Sequence, residues 1–210
     1  MKKNVSISLI KKLNDAFLEL KEDEYSSFIS FYQKHKNTIE NIDITHSESH
    51  FEFKLKTTGN YGRCLFIMKS YSKAIEVLKE AIKIFESGIK LYFKNEIISG
   101  MNYYEFLLSI YAESLFMNKN FKISKKEFKR LTTLYPDNKS YKGWYKSSIF
   151  YKYNWLFNLI LITSGLILIY DVFFSIKAPI DLSITAIVVS SITYLIQWGL
   201  KQYIKIKYFN

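Results

Sequence analysis

The chain has 210 residues, 49% of them hydrophobic and 18% aromatic, and carries a formal charge of +11. Its single cysteine, Cys64, excludes an intramolecular disulfide and fits a reducing compartment. There is no glycine-rich phosphate loop, nucleophile elbow, Cys/His ligand set or recognisable carboxylate pair, so the chain reads as a non-enzyme without cofactor or metal.

The amino terminus, MKKNVSISLIKKLND, has a short apolar stretch closed off by Lys11 and Lys12, and lacks the apolar core and cleavage site of a signal peptide. From Ser8 to Leu20, apolar residues at Leu9, Ile10, Leu13, Ala16, Phe17 and Leu20 give the stripe of an amphipathic helix. A second helix is expected from Asp23, with Tyr25, Phe28, Ile29 and Tyr32 on one face, fraying near His35 to Asn37. Glu22, Asp23 and Glu24 suit its positive amino end.

Asn37 to Thr58 reads differently. Ile42 and Ile44, then Phe51, Phe53 and Leu55, alternate with polar residues at period two, which predicts a short β-hairpin or extended insertion. His46 and His50 stand four apart within it. On a helix that spacing could hold a metal, but no third ligand is evident and both are expected as solvated loop residues.

Asn60 to Phe85 reads NYGRCLFIMKSYSKAIEVLKEAIKIF, and Tyr103 to Asn138 reads YYEFLLSIYAESLFMNKNFKISKKEFKRLTTLYPDN. Both resemble a tetratricopeptide repeat, in which a small residue lets helix A pack closely on helix B. Gly62, Leu65, Tyr71, Ala74, Leu78 and Ala81 stand at the family positions of the first copy. Leu108, Ala112, Leu115, Phe121, Ser124, Phe128 and Pro136 stand at those of the second, where Leu131 replaces the family's alanine. The copies lie about 50 residues apart rather than the usual 34, because Ser87 to Asn102 are inserted. The insertion should lengthen helix B and add a loop around Gly100. The first helical pair can be written as a third, degenerate copy.

The resemblance implies stacked A helices lining a groove for a partner segment. Carrying the family's groove positions onto this chain gives Lys56, Arg63, Phe66 and Ile67 from one copy and Phe106, Glu113, Phe116 and Met117 from the other. Gly59 and Arg63 stand where a carboxylate clamp needs lysine and asparagine, so a chaperone-tail ligand is not implied.

Between Lys119 and Lys146 nine basic residues face only Glu127 and Asp137. Lys119, Lys122, Lys125, Lys126, Lys129 and Arg130 could hold the domain against anionic lipid. Phe121, Phe128, Tyr135 and Trp144 interleave with them, but the repeat core claims several of these aromatics, so nucleic acid is the disfavoured reading.

Two apolar runs follow, Trp155 to Ile176 and Ile180 to Leu200, each long enough at roughly 20 residues to cross a bilayer. Lys177-Ala178-Pro179 between them allows only a tight turn, so the pair predicts a transmembrane helical hairpin. Lysines before the first run and after the second put both ends on the cytoplasmic side, with Trp155 and Trp198 at one interface. That register sets Asp171 opposite Leu182 and Ser183, near the turn, where it could accept from Ser183 or Thr185, pair with Lys177 or reach the far interface. Ser183, Ala186 and Ser190 form a small-residue stripe.

The expected organisation is therefore all-α with a small extended insertion at 37–58. A tetratricopeptide-like cytoplasmic domain covers 1–150, the hairpin 153–201, and a basic tail 202–210. The composition, rich in Ile, Lys, Asn, Tyr and Phe, suggests an AT-rich bacterial genome and hence an inner membrane. The leading function is a membrane-anchored adaptor that binds a partner protein or peptide. The alternative is a homo-oligomeric two-span effector, with Ser183, Thr185, Ser190, Ser191 and Thr193 lining a pore.

Overall fold

The computed structural model describes residues 5–21, 24–93, 102–174 and 180–209, and these form eight α-helices and no strand. The chain divides into two compact units, Met1–Asn120 and Phe121–Asn210.

The first unit opens with α1 (Ile7–Leu18) and α2 (Tyr25–Glu40). Ser6 caps α1, its hydroxyl accepting from the Leu9 amide at 3.3 Å. Ile10, Leu13 and Phe17 turn inward from α1 and meet Phe28, Tyr32 and Ile39 of α2. Phe17 is the centre of this contact, edge-on to Phe28 at 5.4 Å and to Phe53 at 6.5 Å. The acidic pair Glu22-Asp23 lies outside the described residues, and α2 runs on past His35 to Glu40.

The expected β insertion is corrected: residues 41–47 are a tight loop, and α3 (Glu48–Ile67) begins where strands were predicted. Asp43 Oδ1 accepts from the amide and hydroxyl of Thr45, and Lys54 donates to the carbonyls of Glu40 and Ile42, both at 2.9 Å. The period-two pattern arises because α3 is covered on opposite sides. Phe53 faces the α1–α2 core, while Phe51 lies beside Tyr92 and over Gly88 of α4 (Tyr71–Tyr92). Residues two apart on a helix point about 200° apart, so a helix buried on both faces imitates a strand.

Gly62 lets α3 approach α4: a Cβ there would stand 2.7 Å from two Leu78 side-chain atoms. Ala74, Leu78 and Ala81 are wholly buried on that face of α4. On another side of α3, Gly59 lies against Tyr103 and Leu107 of α5 (Asn102–Met117). The insertion's predicted loop around Gly100 falls outside the described residues, whereas α4 does extend through its first part to Tyr92.

The end of α3 and the end of α5 are copies. At the first, the Ser70 amide bonds to the Leu65 carbonyl at 2.8 Å and the Lys69 amide to Phe66 at 2.9 Å. At the second, Asn120 bonds to Leu115 at 2.8 Å and Lys119 to Phe116 at 2.9 Å. Lys69 and Lys119 occupy the left-handed region, φ 60° and 61°. This is the Schellman termination, usually given to glycine, repeated at an offset of fifty residues. The helix after each turn repeats the same burial order: Ala74, Leu78 and Ala81 in one, Ser124, Phe128 and Leu131 in α6 (Phe121–Leu134).

The second unit consists of α6, α7 (Lys139–Phe174) and α8 (Ile180–Phe209). α6 packs on the first turns of α7 through Phe128 stacked on Trp144 at 5.7 Å, Phe121 on Tyr151 at 5.7 Å, and a buried Ser124–Ser148 hydroxyl pair at 3.1 Å. The end of α8 closes on the same stretch: Trp144 meets Phe209 edge-on at 5.4 Å, and Gly143 lies directly against Tyr208 and Phe209. The predicted span starting at Trp155 is thus the distal part of one 36-residue helix, about 54 Å long at 1.5 Å per residue. The basic tail is helical through Phe209.

Candidate interaction groove and membrane hairpin

The groove positions fall on the two helices that were to carry them. Lys56, Arg63 and Phe66 lie on α3 and Phe106, Glu113 and Phe116 on α5. Lys56 is occupied locally, its ammonium 3.9 Å from Glu52. Phe66 rests on Tyr71 at 5.8 Å and Phe106 on Tyr103 at 5.8 Å, so both aromatics are steadied by neighbours in sequence. Arg63 and Glu113 each stand six residues before one of the two left-handed turns, at Lys69 and Lys119, and carry opposite charge. Neither forms an ion pair among the described residues. Glu113 is half-buried, and burial pushes its carboxyl above the usual range.

Tyr103, near Arg63 and against Gly59, has a buried Oη with no hydrogen-bond partner among the described residues. Burial raises its phenol strongly, and the Arg63 cation opposes that shift.

His46 is an exposed loop residue as expected, whereas His50 is not. Their rings lie 4.8 Å apart, and His50 is 1% exposed in the first turn of α3. Its Nε2 donates to the Val5 carbonyl at 3.1 Å, so Nδ1 is the ring acceptor, 2.6 Å from the Ser47 hydroxyl. His50 therefore ties the chain's first residues to the start of α3. No group of three or more metal-ligating side chains is found among the described residues.

Sequence reading also missed a cavity of about 630 Å³ among α2, α3 and α4, walled by Tyr32 and Tyr61 stacked at 4.0 Å. Burial pushes the Tyr32 phenol up to about 12. Lys36, Lys54 and Lys73 alternate there with Glu40, Glu76 and Glu80, so its charges balance internally. These residues come from three separate helices, and no local pattern joins them.

Of the basic block, Lys119 sits in the left-handed turn that ends α5. Lys122, Lys126 and Lys129 are exposed along one side of α6, Lys125 is half-buried, and Arg130 lies 3.9 Å from Glu127.

α7 and α8 are both long and apolar enough to cross a membrane. Their polarity is inverted relative to a soluble core. The less exposed positions of α7 run Phe150, Asn154, Phe157, Leu161, Ser164, Leu168, Asp171, alternating four and three residues apart as in a coiled-coil seam. Those of α8 before Gly199 run Ser183, Ala186, Ser190, Thr193, Gln197, each small or polar, and beyond them Ile204 and Tyr208 are also partly covered. Hydrogen bonds lock the seam at both ends. Ser183 Oγ donates to Asp171 Oδ2 at 2.8 Å, and Gln197 Nε2 donates to Asn154 Oδ1 at 2.7 Å and Asn158 Oδ1 at 3.3 Å. The outward faces are apolar: Leu166 is 59% exposed and Ile192 51%, alongside Ile162, Ile169, Ile187 and Leu195.

Outside the Trp155–Trp198 level, the hairpin holds a second cavity of about 590 Å³. Lys146, Phe150, Tyr153 and Phe157 of α7 line one wall, and Leu200, Tyr203, Ile204 and Lys207 of α8 the other.

The chain matches no protein-family model, no curated protein and no solved structure.

Proposed function

We propose that this protein is a membrane-anchored adaptor. Its α7–α8 hairpin spans the bilayer, and its α3 and α5 offer a tetratricopeptide-like groove to a segment of a partner protein at the cytoplasmic face. The observation that carries the reading is the inverted hairpin. Small and polar side chains of α8, with Asn154, Ser164 and Asp171 of α7, share the seam with Phe150, Phe157, Leu161 and Leu168, and Leu, Ile and Val face outward with about half their surface free. In water such a face would be covered, because burying each of these side chains is worth roughly 1.5–3 kcal/mol. In hydrocarbon it is the required solvent contact, and the seam hydrogen bonds satisfy what lipid cannot.

The tetratricopeptide-like assignment is supported by the Schellman turn at Lys69 and its copy at Lys119, and by the small residues Gly62 and Ala112 at equivalent places. Lysines flanking both spans favour a cytoplasmic location for both ends. Lys122, Lys126 and Lys129 then add roughly 1 kcal/mol each of attraction to anionic lipid near its surface.

The rival effector reading needs a polar face free to line a lumen. Of its lining residues, Ser183 is committed to Asp171 and Thr193 is 8% exposed within the hairpin, while Thr185 and Ser191 are exposed. That commitment favours the anchor.

The test is photo-crosslinking from positions Phe66 and Phe116 of the full-length membrane protein in its native host. The expected result is one crosslinked partner shared by both positions and lost together in Arg63→Glu and Glu113→Lys. Crosslinks only between copies of the chain, in a closed ring of several subunits, would replace the adaptor with the effector.

A further inference from the structure

We propose that the cavity at the base of the hairpin is a binding site for one anionic phospholipid. The inference rests on the bilayer insertion argued above. Its ground is the order of chemistry along the cavity. Lys146, Tyr153 and Phe157 on α7 are spaced seven and four residues apart, so they share a face and span about 16 Å along the helix. Antiparallel α8 repeats the sequence from its own side as Lys207, Tyr203 and Leu200.

From the Trp155–Trp198 level outward, the walls pass from Phe157 and Leu200, through the phenols of Tyr153 and Tyr203, to the ammonium groups of Lys146 and Lys207, with apolar Phe150 and Ile204 between these levels and Tyr208 beside Lys207. A phospholipid presents the complementary order: acyl chain, glycerol esters, phosphate. No acidic residue lines the cavity. Lys207 is already held for the task, donating to Tyr203 Oη at 2.6 Å with its ammonium 5.0 Å above the Tyr203 ring. Lys146 forms no ion pair among the described residues, is exposed, and can turn toward a phosphate. Two ammonium charges converging on one phosphate oxygen set select an anionic headgroup over a zwitterionic one. The apolar inner wall selects an intact lipid over a free phosphate ester.

Native mass spectrometry of the full-length protein, released from mild detergent and titrated with phosphatidylglycerol or phosphatidylcholine, tests the site. One phosphatidylglycerol should remain on each chain at lipid concentrations at least tenfold below those needed for phosphatidylcholine. Lys146→Gln with Lys207→Gln should erase that preference, and arginine at both positions should keep it. Lys201→Gln with Lys205→Gln, lysines of α8 outside the cavity, should leave it intact. Equal retention of the two lipids, an equal loss from the Lys201/Lys205 pair, or displacement of the lipid by glycerol phosphate at comparable concentration would each overturn the proposal. Carbonate washing of the membranes separates the two levels. A wild-type chain that washes off overturns insertion and the lipid site together, whereas one that resists washing yet shows no lipid preference overturns the site alone.

Discussion

Charging the outward face of the hairpin should expel it from the membrane, while altering the seam should not. Leu166 and Ile192 lie near the middles of the two spans, and both point away from the partner helix, 59% and 51% exposed. On an insertion scale a central leucine or isoleucine contributes about −0.5 kcal/mol and a central lysine about +2.5 to +3.5 kcal/mol. Each exchange to lysine therefore costs about 3 kcal/mol, roughly a 150-fold change in the insertion equilibrium. Leu166→Lys with Ile192→Lys costs about 6 kcal/mol, more than long side chains can recover by bending toward the interface. Ser164→Ala and Thr193→Val, both inside the seam, should change insertion by less than about 1 kcal/mol. The assay is the fraction of full-length chain left in carbonate-washed membranes, with protease accessibility of the ends as a second readout. A double-lysine chain retained at the wild-type level would refute the reasoning. So would seam substitutions that damage retention more than the lysines do, since that ranking belongs to a water-soluble core.

Three further outcomes are expected for full-length protein unfolded by denaturant in detergent. Lys69→Gly and Lys119→Gly should each stabilise by about 1 kcal/mol, because glycine adopts the left-handed φ without a Cβ penalty; a loss at either turn would contradict the repeated termination. Tyr103→Phe should be neutral or stabilising by up to about 2 kcal/mol, since it removes a buried hydroxyl without a partner; a clear loss would reveal a partner there. Glu113→Gln should stabilise at pH 7 and lose its advantage in acid. Burial raises the folded carboxyl above its unfolded value, so the folded state holds the proton more tightly. Stability from this group is then fully present below the unfolded pKa and falls as pH rises through the folded one. A wild-type-minus-variant difference that stays flat between pH 3 and 7 would remove Glu113 from the half-buried class.

What the sequence disclosed depended on how many sides each helix buries. α1, α4 and α6 are covered on one face, so their apolar residues recur every three or four positions and can be read directly. α3 is packed by α1 and α2 on one side and by α4 and α5 on others, and there the same rules returned a strand. The hairpin was legible because long apolar runs announce themselves by length and composition, and Trp155 with Trp198 set a register that put Asp171 opposite Leu182 and Ser183, the second of which donates to it. The backward extension of α7 to Lys139 was hidden, since its first turns pack Trp144 and Ser148 on the preceding α6 and Trp144 against Phe209 at the end of α8. Of the groove, position along the helices could be read, but not the burial of Glu113 or the unsatisfied hydroxyl of Tyr103. The cavity between the helix ends was invisible, because its walls are joined only by antiparallel pairing of residues about fifty apart.

Between Trp144 and Ser164 α7 contains neither glycine nor proline, so it has no weak point where the spans leave the bilayer. Under the proposed insertion, the rod that grips α6 through Phe128 and Trp144 is the rod that meets hydrocarbon twenty residues further on. A thinner or thicker bilayer changes the tilt a span adopts. With no hinge to absorb that change, α6 and its lysines swing with it as the long arm of a lever. Under the proposed insertion, membrane thickness thereby sets the angle at which the basic helix is presented to the lipid surface.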